Sequence, residues 1–251
     1  MWRLALVWLL LPACHLALPL DGPGEDAAAA REAGGDGLRS IDGAVGCSGF
    51  TSFLKCDDFE DPWAPAYELY HGDDAVAPER VSPGHASEYA LRTSSGPAFG
   101  WSIVHLGLSP PVTTGALSVR AYVSLSAAPV PTWVSVFQLV DKDVDGLTKA
   151  GFDVGPGDQV HVHCPSHGWV SDKGHVMTQG DWHCVELRVD MDATAVELWI
   201  DGSLVEDCGS YAVVWPAGGF ASVKVGAGTD QSKATVTLDD VVVARGPIGC
   251  P

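Results

Sequence analysis

Beyond residue 47 the apolar positions recur with a period of two. Leu117, Val119, Ala121, Val123 and Leu125 alternate with Ser118, Arg120, Tyr122 and Ser124, the pattern of a half-buried strand. Trp133, Ser135, Phe137 and Leu139 alternate with Val134, Val136 and Gln138, a strand covered on both faces. Val185, Leu187 and Val189 alternate with Glu186, Arg188 and Asp190; a short turn then leads to Val196, Leu198 and Ile200 around Glu197 and Trp199. These two runs predict a hairpin, and Asp201-Gly202 supplies the next turn. Further strands are predicted at 89–93, 101–106, 159–163, 220–226 and 235–244. No segment carries a capped 3.6-residue apolar period. Short strands at regular spacing without helices predict an all-β domain of two antiparallel sheets, a sandwich or a barrel.

The first 46 residues read differently. Arg3 precedes a short apolar run over 4–11, the layout of a secretory signal, too short for a spanning helix of about 20 residues. Leu11-Pro12-Ala13-Cys14 resembles a bacterial lipobox with Cys14 as the lipidated residue, although Pro12 departs from the usual small residue. Lipidation and ordinary signal cleavage both stay open. Residues 1–17 are thus expected to be a signal peptide, and membrane attachment only through that lipid. Residues 18–46, rich in Ala, Gly, Asp and Glu, cannot bury enough apolar surface to offset their ordering entropy, and are expected to form a disordered tether. The folded domain is expected over 47–251.

Charge narrows the partners. Lys plus Arg number 14 against 32 Asp plus Glu, a formal net of −18, so phosphate backbones and anionic lipid are poor partners and nucleic acid is excluded. With Cys14 in the signal, Cys47, Cys56, Cys164, Cys184, Cys208 and Cys250 remain, an even set that reads as three disulfides in an exported chain. No Cys-x-x-Cys pair offers a zinc site. The local pairings Cys47–Cys56 and Cys164–Cys184 are favoured, with Cys208–Cys250 fastening the C-terminus.

Four stretches carry a family resemblance. Phe53-Leu54-Lys55-Cys56-Asp57-Asp58-Phe59-Glu60 resembles the opening strand of concanavalin A-like jelly rolls. Asp181-Trp182-His183-Cys184-Val185-Glu186-Leu187 is similar to a later Trp-led strand. Val196-Glu197-Leu198-Trp199-Ile200-Asp201-Gly202 resembles the strand ending in Asp-Gly of laminin-G-like members. Val236-Thr237-Leu238-Asp239-Asp240-Val241-Val242-Val243 is similar to their closing strand. The resemblance covers about 47–250 and implies a two-sheet antiparallel jelly-roll sandwich. It is specific for fold and weak for activity, since this superfamily hosts lectins, hydrolases, lyases and adhesion domains.

Three constellations are candidate sites. In jelly rolls the first and last strands lie side by side, which would bring Asp57, Asp58 and Glu60 toward Asp239 and Asp240. The resemblance implies a structural Ca²⁺, a hard cation that takes oxygen ligands; the competing reading has these acids facing water at strand ends. His161, His163, His167, His175 and His183 crowd one stretch, and His161 and His163 share a strand face, so both could reach one metal or one glycan. No carboxylate or Cys spacing completes a metal motif, which favours a polar, solvent-facing strand and loop. Third, Arg120, Tyr122, Gln138, His161 and His163 fall on successive strands. Alginate-lyase-like jelly rolls line their concave sheet with an Arg, a Gln, a His and a Tyr, so the resemblance implies a ligand groove. Those lyases' Arg-Thr-Glu-Leu-Arg and Tyr-Phe-Lys-x-Gly motifs are absent, as is the Glu-x-Asp-x-x-Glu strand of the glucanases.

Trp63, Trp101, Trp169 and Trp215 adjoin loop residues and are candidates for sugar stacking, whereas Trp133 and Trp199 sit within strands and are expected in the core. No Gly-x-Ser-x-Gly elbow, Walker loop or dinucleotide fingerprint occurs. The expectation is a non-catalytic module for extracellular or cell-surface polysaccharide, with glycan as partner. The alternatives are a lyase or hydrolase of divergent motif, and an adhesion domain that binds protein.

Overall fold

Alternation becomes two packed sheets because each strand buries one row of apolar side chains. The computed structural model describes residues 47, 52–61, 67–72, 75–96, 100–126, 133–142, 148–171, 173–209, 211–229 and 233–250, all within one unit, Gly37–Pro251. The expected signal peptide, Cys14, the expected tether and Trp63 lie outside the described residues.

Among the described residues fifteen strands follow in chain order: β1 (Lys55–Asp57), β2 (Glu68–His71), β3 (Val76–Val81), β4 (Ala90–Ser94), β5 (Trp101–Val112), β6 (Ala116–Ser126), β7 (Val134–Val140), β8 (Thr148–Val154), β9 (Val160–Cys164), β10 (Gly168–Val170), β11 (His183–Asp190), β12 (Ala195–Ile200), β13 (Ser203–Asp207), β14 (Phe220–Thr229) and β15 (Thr235–Ala244). They form two antiparallel sheets. The eight-stranded sheet runs β13-β12-β11-β6-β15-β4-β3, with β1 also paired to β15; the seven-stranded sheet runs β10-β9-β8-β7-β14-β5-β2. Jumps such as β6 to β15 and β7 to β14 make the topology a jelly roll, and no α-helix occurs among the described residues.

The predicted hairpin is β11–β12, with Leu187 opposite Leu198, and β12–β13 turns at Asp201-Gly202, both at positive φ. The first and last strands are neighbours, Asp57 opposite Val241. β4 pairs with the first half of β15 and β1 with the second. Between them β15 bulges at Asp239 and Asp240, and Asp240 adopts φ 49°, a left-handed conformation that Asp tolerates better than most residues.

The core is one cluster between the sheets. Leu117, Val119, Ala121, Val123 and Leu125 of β6 face Phe137 and Leu139 of β7, Val223 and Val225 of β14, and Phe152 of β8. In β7 the register shifts between Ser135 and Phe137, so both Val136 and Phe137 join the core and the simple alternation breaks. β8 escapes the sequence pattern because its inward Ala150, Phe152 and Val154 are interleaved with Lys149, Gly151 and Asp153.

Two expectations are corrected here. Cys47–Cys56 pairs as expected, but the other bridges are Cys164–Cys208 and Cys184–Cys250. Cys164 ends β9 in one sheet while Cys184 lies in β11 of the other, so proximity in sequence is not proximity in space. Cys164 instead meets Cys208, just after β13, with 5.7 Å between their Cα atoms. Trp133 and Trp199 are also not core residues. Trp133 is 39% exposed, and Trp199 points away from the inter-sheet cluster beneath the Arg188 guanidinium, 4.2 Å from its centroid.

Candidate functional site

Each sheet has an outer face, and the two are built differently. On the eight-stranded sheet, the β6 residues that alternate with the core row are Ser118, Arg120, Tyr122 and Ser124. Arg120 is nevertheless 1% exposed. Glu186 stands directly opposite it on β11 and is fully buried. The Glu186 carboxylate accepts the backbone N–H groups of Ile248 (2.7 Å) and Gly249 (2.8 Å), and it lies 2.9 Å from the Arg188 guanidinium. The C-terminal segment is thereby drawn over this face and fastened by Cys184–Cys250. A second cover comes from residues 82–89: His85 stacks on Tyr122 with centroids 3.6 Å apart, and Trp182 meets His85 edge-on.

Asp239 anchors that cover. Its Oδ2 accepts the His85 N–H and the Ser87 hydroxyl, each at 2.7 Å, and its Oδ1 accepts the Asp240 N–H. Burial, reinforced by the Asp240 charge, pushes its carboxyl up to about 6 against the relief from these hydrogen bonds. Burial also lowers the Arg120 guanidinium, countered by Tyr122, Asp240 and Glu186, and burial with the nearby Arg120 charge lowers His85.

The expected calcium set is divided among local tasks. The Asp57 Oδ1 accepts the Phe59 N–H, the Asp58 Oδ1 that of Glu60, and the Glu60 Oε1 that of Tyr89. Asp239 holds residues 85–87, and Asp240 interacts with Arg120. Among the described residues no group of three or more His, Cys, Asp or Glu gathers as a metal site. The set does not fit Ca²⁺, which takes roughly six to eight oxygens around one point.

The seven-stranded sheet presents the other arrangement. Register alone places a transverse polar row on its outer face: His163 opposite Gly151, Gly151 opposite Gln138, Gln138 opposite Lys224, Lys224 opposite His105, and His105 opposite Glu68. Five strand spacings make this row about 24 Å long. Gln138, Lys224 and His105 form its floor, 4%, 8% and 3% exposed, with His105 Nδ1 3.4 Å from the Glu68 carboxylate. Gly151 contributes no side chain, which leaves the floor low between Gln138 and His163.

Aromatic rings rim the floor, two of them by the same device. Trp101 lies across the sheet from Gly228, where a Cβ would come within 2.4 Å of its ring. Trp133 lies over Gly155, where a Cβ would come within 2.1 Å. Each indole rests flat on a position that only glycine can occupy. Trp133 meets His161 edge-on at 4.0 Å, and Trp169, 39% exposed, meets His163 at 4.7 Å. The Lys224 ammonium sits 5.7 Å from the Trp101 ring centroid.

Burial lowers both His161 and His163 below the ordinary imidazole value, so both are neutral at neutral pH. A neutral imidazole offers one donor and one acceptor. The Nδ1 of His163 lies 3.2 Å from the Lys149 carbonyl. A carbonyl only accepts, so the proton sits on Nδ1 and Nε2 is left as an acceptor. The face therefore combines flat apolar rings with separate hydrogen-bond donors and acceptors.

The five residues expected in one groove are thus divided. Gln138, His161 and His163 share the seven-stranded face; Arg120 and Tyr122 are buried on the other sheet. His167 stacks on Tyr211 and His183 pairs with Asp201 at 2.8 Å, so the histidines do not converge either. The sequence reasoning missed Lys224 and His105. Their signal was present, since each is an ionisable residue inside an apolar strand run, Val223-Lys224-Val225 and Val104-His105-Leu106.

No protein-family model and no curated protein sequence matches the chain. Solved structures do match its fold. The cellulose-induced protein Cip1 superposes with a TM-score of 0.62 at 18% identity, over 78% of this chain and 99% of that one. An endo-β-1,4-glucuronan lyase from Trichoderma reesei gives 0.58 at 15% identity, over 78% and 96%. A carbohydrate esterase from the Shiga toxin-encoding bacteriophage phi24B gives 0.53 at 13%, over 78% and 99%. At these identities the likeness shows the fold alone, a jelly-roll sandwich of two antiparallel sheets.

Proposed function

We propose that this chain is an exported, non-catalytic polysaccharide-binding module whose ligand lies along the polar row of the seven-stranded sheet. The observation that carries this reading is the pair of indoles seated on glycines, Trp101 on Gly228 and Trp133 on Gly155. An aromatic ring that serves packing is buried on both sides, whereas Trp133 keeps 39% of its surface exposed. Exposed rings beside Gln138, Lys224 and His163 suit stacking against sugar faces with hydrogen bonds to hydroxyls. The carbohydrate activities named for two of the structural neighbours, the glucuronan lyase and the carbohydrate esterase, support the same substrate class. Three disulfides suit an oxidising, exported setting.

The catalytic alternative relied on Arg120 acting with Gln138, and these stand on different sheets. The test is retention of the 251-residue chain on a panel of immobilised polysaccharides, followed by the Trp101→Ala variant on whichever glycan retains it. Selective retention that the variant loses supports the reading. Retention on none of them returns the chain to a protein-binding role.

A further inference from the structure

At the His163 end the polar row runs into a cavity of about 670 Å³. Its polar lining includes His163, Ser166, Lys142, Lys149 and Asp141, and its apolar lining includes Val214, Trp215 and Pro216. His163 belongs both to the row and to the cavity, so a ligand that follows the row arrives here. The apolar wall is fixed. The Trp215 indole N–H donates to the Met191 carbonyl at 3.0 Å, and its ring meets the core residue Phe220 edge-on.

Charge sets this cavity apart from the rest of the molecule. The chain carries a formal net of −18 with only six lysines. Three of those, Lys142, Lys149 and Lys224, stand in the cavity or on the row that leads to it. Several of the other described cations are already engaged in the fold. Arg80 donates to the Phe59 and Glu60 carbonyls, Arg92 pairs with Glu79, Arg188 with Glu186 and Lys173 with Asp207, and Arg245 donates to the Thr114 carbonyl. In the cavity Asp141 lies 3.1 Å from the Lys149 ammonium, which holds that side chain in place and balances one of the two charges. Lys142 is exposed at the mouth. One ammonium with no ion pair among the described residues, a second one positioned by Asp141, and an imidazole share the cavity with an aromatic ring. An anionic group on a sugar ring satisfies both sides at once.

We propose that this cavity is a subsite for an acidic sugar unit, its carboxylate or sulfate group held by Lys142 and Lys149 while its ring packs against Trp215 and Pro216. The inference rests on the polysaccharide-binding reading and narrows it: the ligand is an anionic glycan that lies along the row with one charged unit in the cavity. In an otherwise acidic protein, the lysines also select which end of the row an anionic chain enters.

The test is titration calorimetry of the 251-residue chain with oligogalacturonate, oligoglucuronate and a sulfated galactan oligomer. Each is compared with its own neutral counterpart, methyl-esterified or desulfated, at low and moderate salt. At least one anionic form is expected to bind about tenfold more tightly than its neutral counterpart, the scale of one or two charge-assisted hydrogen bonds, with the preference shrinking as salt rises. In Lys142→Ala/Lys149→Ala that preference is expected to vanish while binding of the neutral form stays. Both lysines are at least partly exposed, so the fold is expected to survive, which the melting temperature verifies. Trp101→Ala is expected to weaken both forms alike. Whether the carboxylated or the sulfated oligomer shows the preference tells which anion the cavity takes. Equal binding of charged and neutral forms, or a preference that survives the double substitution, overturns the acidic subsite and leaves the glycan-binding face standing. Absence of binding to any oligosaccharide removes both.

Discussion

The two outer faces of this sandwich begin from similar materials and end differently. Each has an alternating row of polar side chains that includes at least one cation in mid-strand. On the eight-stranded sheet that cation is Arg120, fully covered, with Glu186, Asp240 and Tyr122 around it. On the seven-stranded sheet it is Lys224, beside an indole and a glutamine, within a row whose rim is solvent-exposed. The first face is closed by the C-terminal segment and by residues 82–89; in the second the aromatic rings lie on glycines with a side toward solvent. A polar residue in a strand is therefore poor evidence of a site until its cover is known. Glu186 directs its carboxylate to the protein's own backbone and so holds the C-terminal segment over Arg120.

That contrast breaks most visibly at Glu186. Glu186→Ala removes the acceptor for Ile248 and Gly249, deprives Arg188 of its carboxylate partner and takes away one of the charges that offset the buried Arg120. A loss of about 3–5 kcal/mol is expected, as for other buried ion pairs deprived of one partner, read by denaturant unfolding. A change below 1 kcal/mol would show that the covered face is not held by this carboxylate.

The disulfides sharpen the comparison next. Cys184–Cys250 closes 66 residues over the covered face and Cys164–Cys208 closes 44 between the sheets, while Cys47–Cys56 closes only nine. On loop-closure entropy, replacing either long bridge by Ala pairs costs about 4 kcal/mol and replacing the short one about 2.5 kcal/mol. Equal losses for all three would contradict that ordering.

The contrast also explains what the sequence revealed. Alternation exposed β6, β11 and β12 because each buries an uninterrupted apolar row, and β14 and β15 because their rows are long enough to survive a bulge; a terminal strand pair was foreseeable from the resemblance. β8 and β10 were not legible, because Gly151, Asp153 and Gly168 interrupt them and their partners decide their state. The site was half legible. Gln138, His161, His163, Trp101 and Trp169 were identified by residue type, but Arg120 and Tyr122 were grouped with them because sequence alternation gives a side chain's face and not its sheet. Trp133 was assigned to the core because its exposure depends on Gly155, 22 positions away. The Cys164 and Cys184 partners failed likewise, since sheet order alone places β9 near β13.

The smallest expected effect concerns pH. With its carboxyl at about 6 in the folded chain against about 3.9 when unfolded, Asp239 favours the folded state in its protonated form. Its contribution is fully present below about pH 3.9 and is lost as pH rises through 6. Asp239→Asn keeps an amide oxygen toward Ser87 and His85 and lacks that titration. The melting temperature of the variant relative to the wild type is expected to rise by a few degrees between pH 4 and pH 7. A difference independent of pH would show that Asp239 is not burdened by its burial.

The central claim is that the seven-stranded face binds glycan and the eight-stranded face does not. It is tested most directly by titrating one retained polysaccharide against wild type, Trp133→Ala and Trp199→Ala, since these indoles occupy opposite faces and both lie outside the core. Trp133→Ala is expected to weaken binding about tenfold, the equivalent of one lost stacking contact, while Trp199→Ala matches wild type. Loss in Trp199→Ala with Trp133→Ala unchanged would place the ligand on the covered sheet and contradict the account.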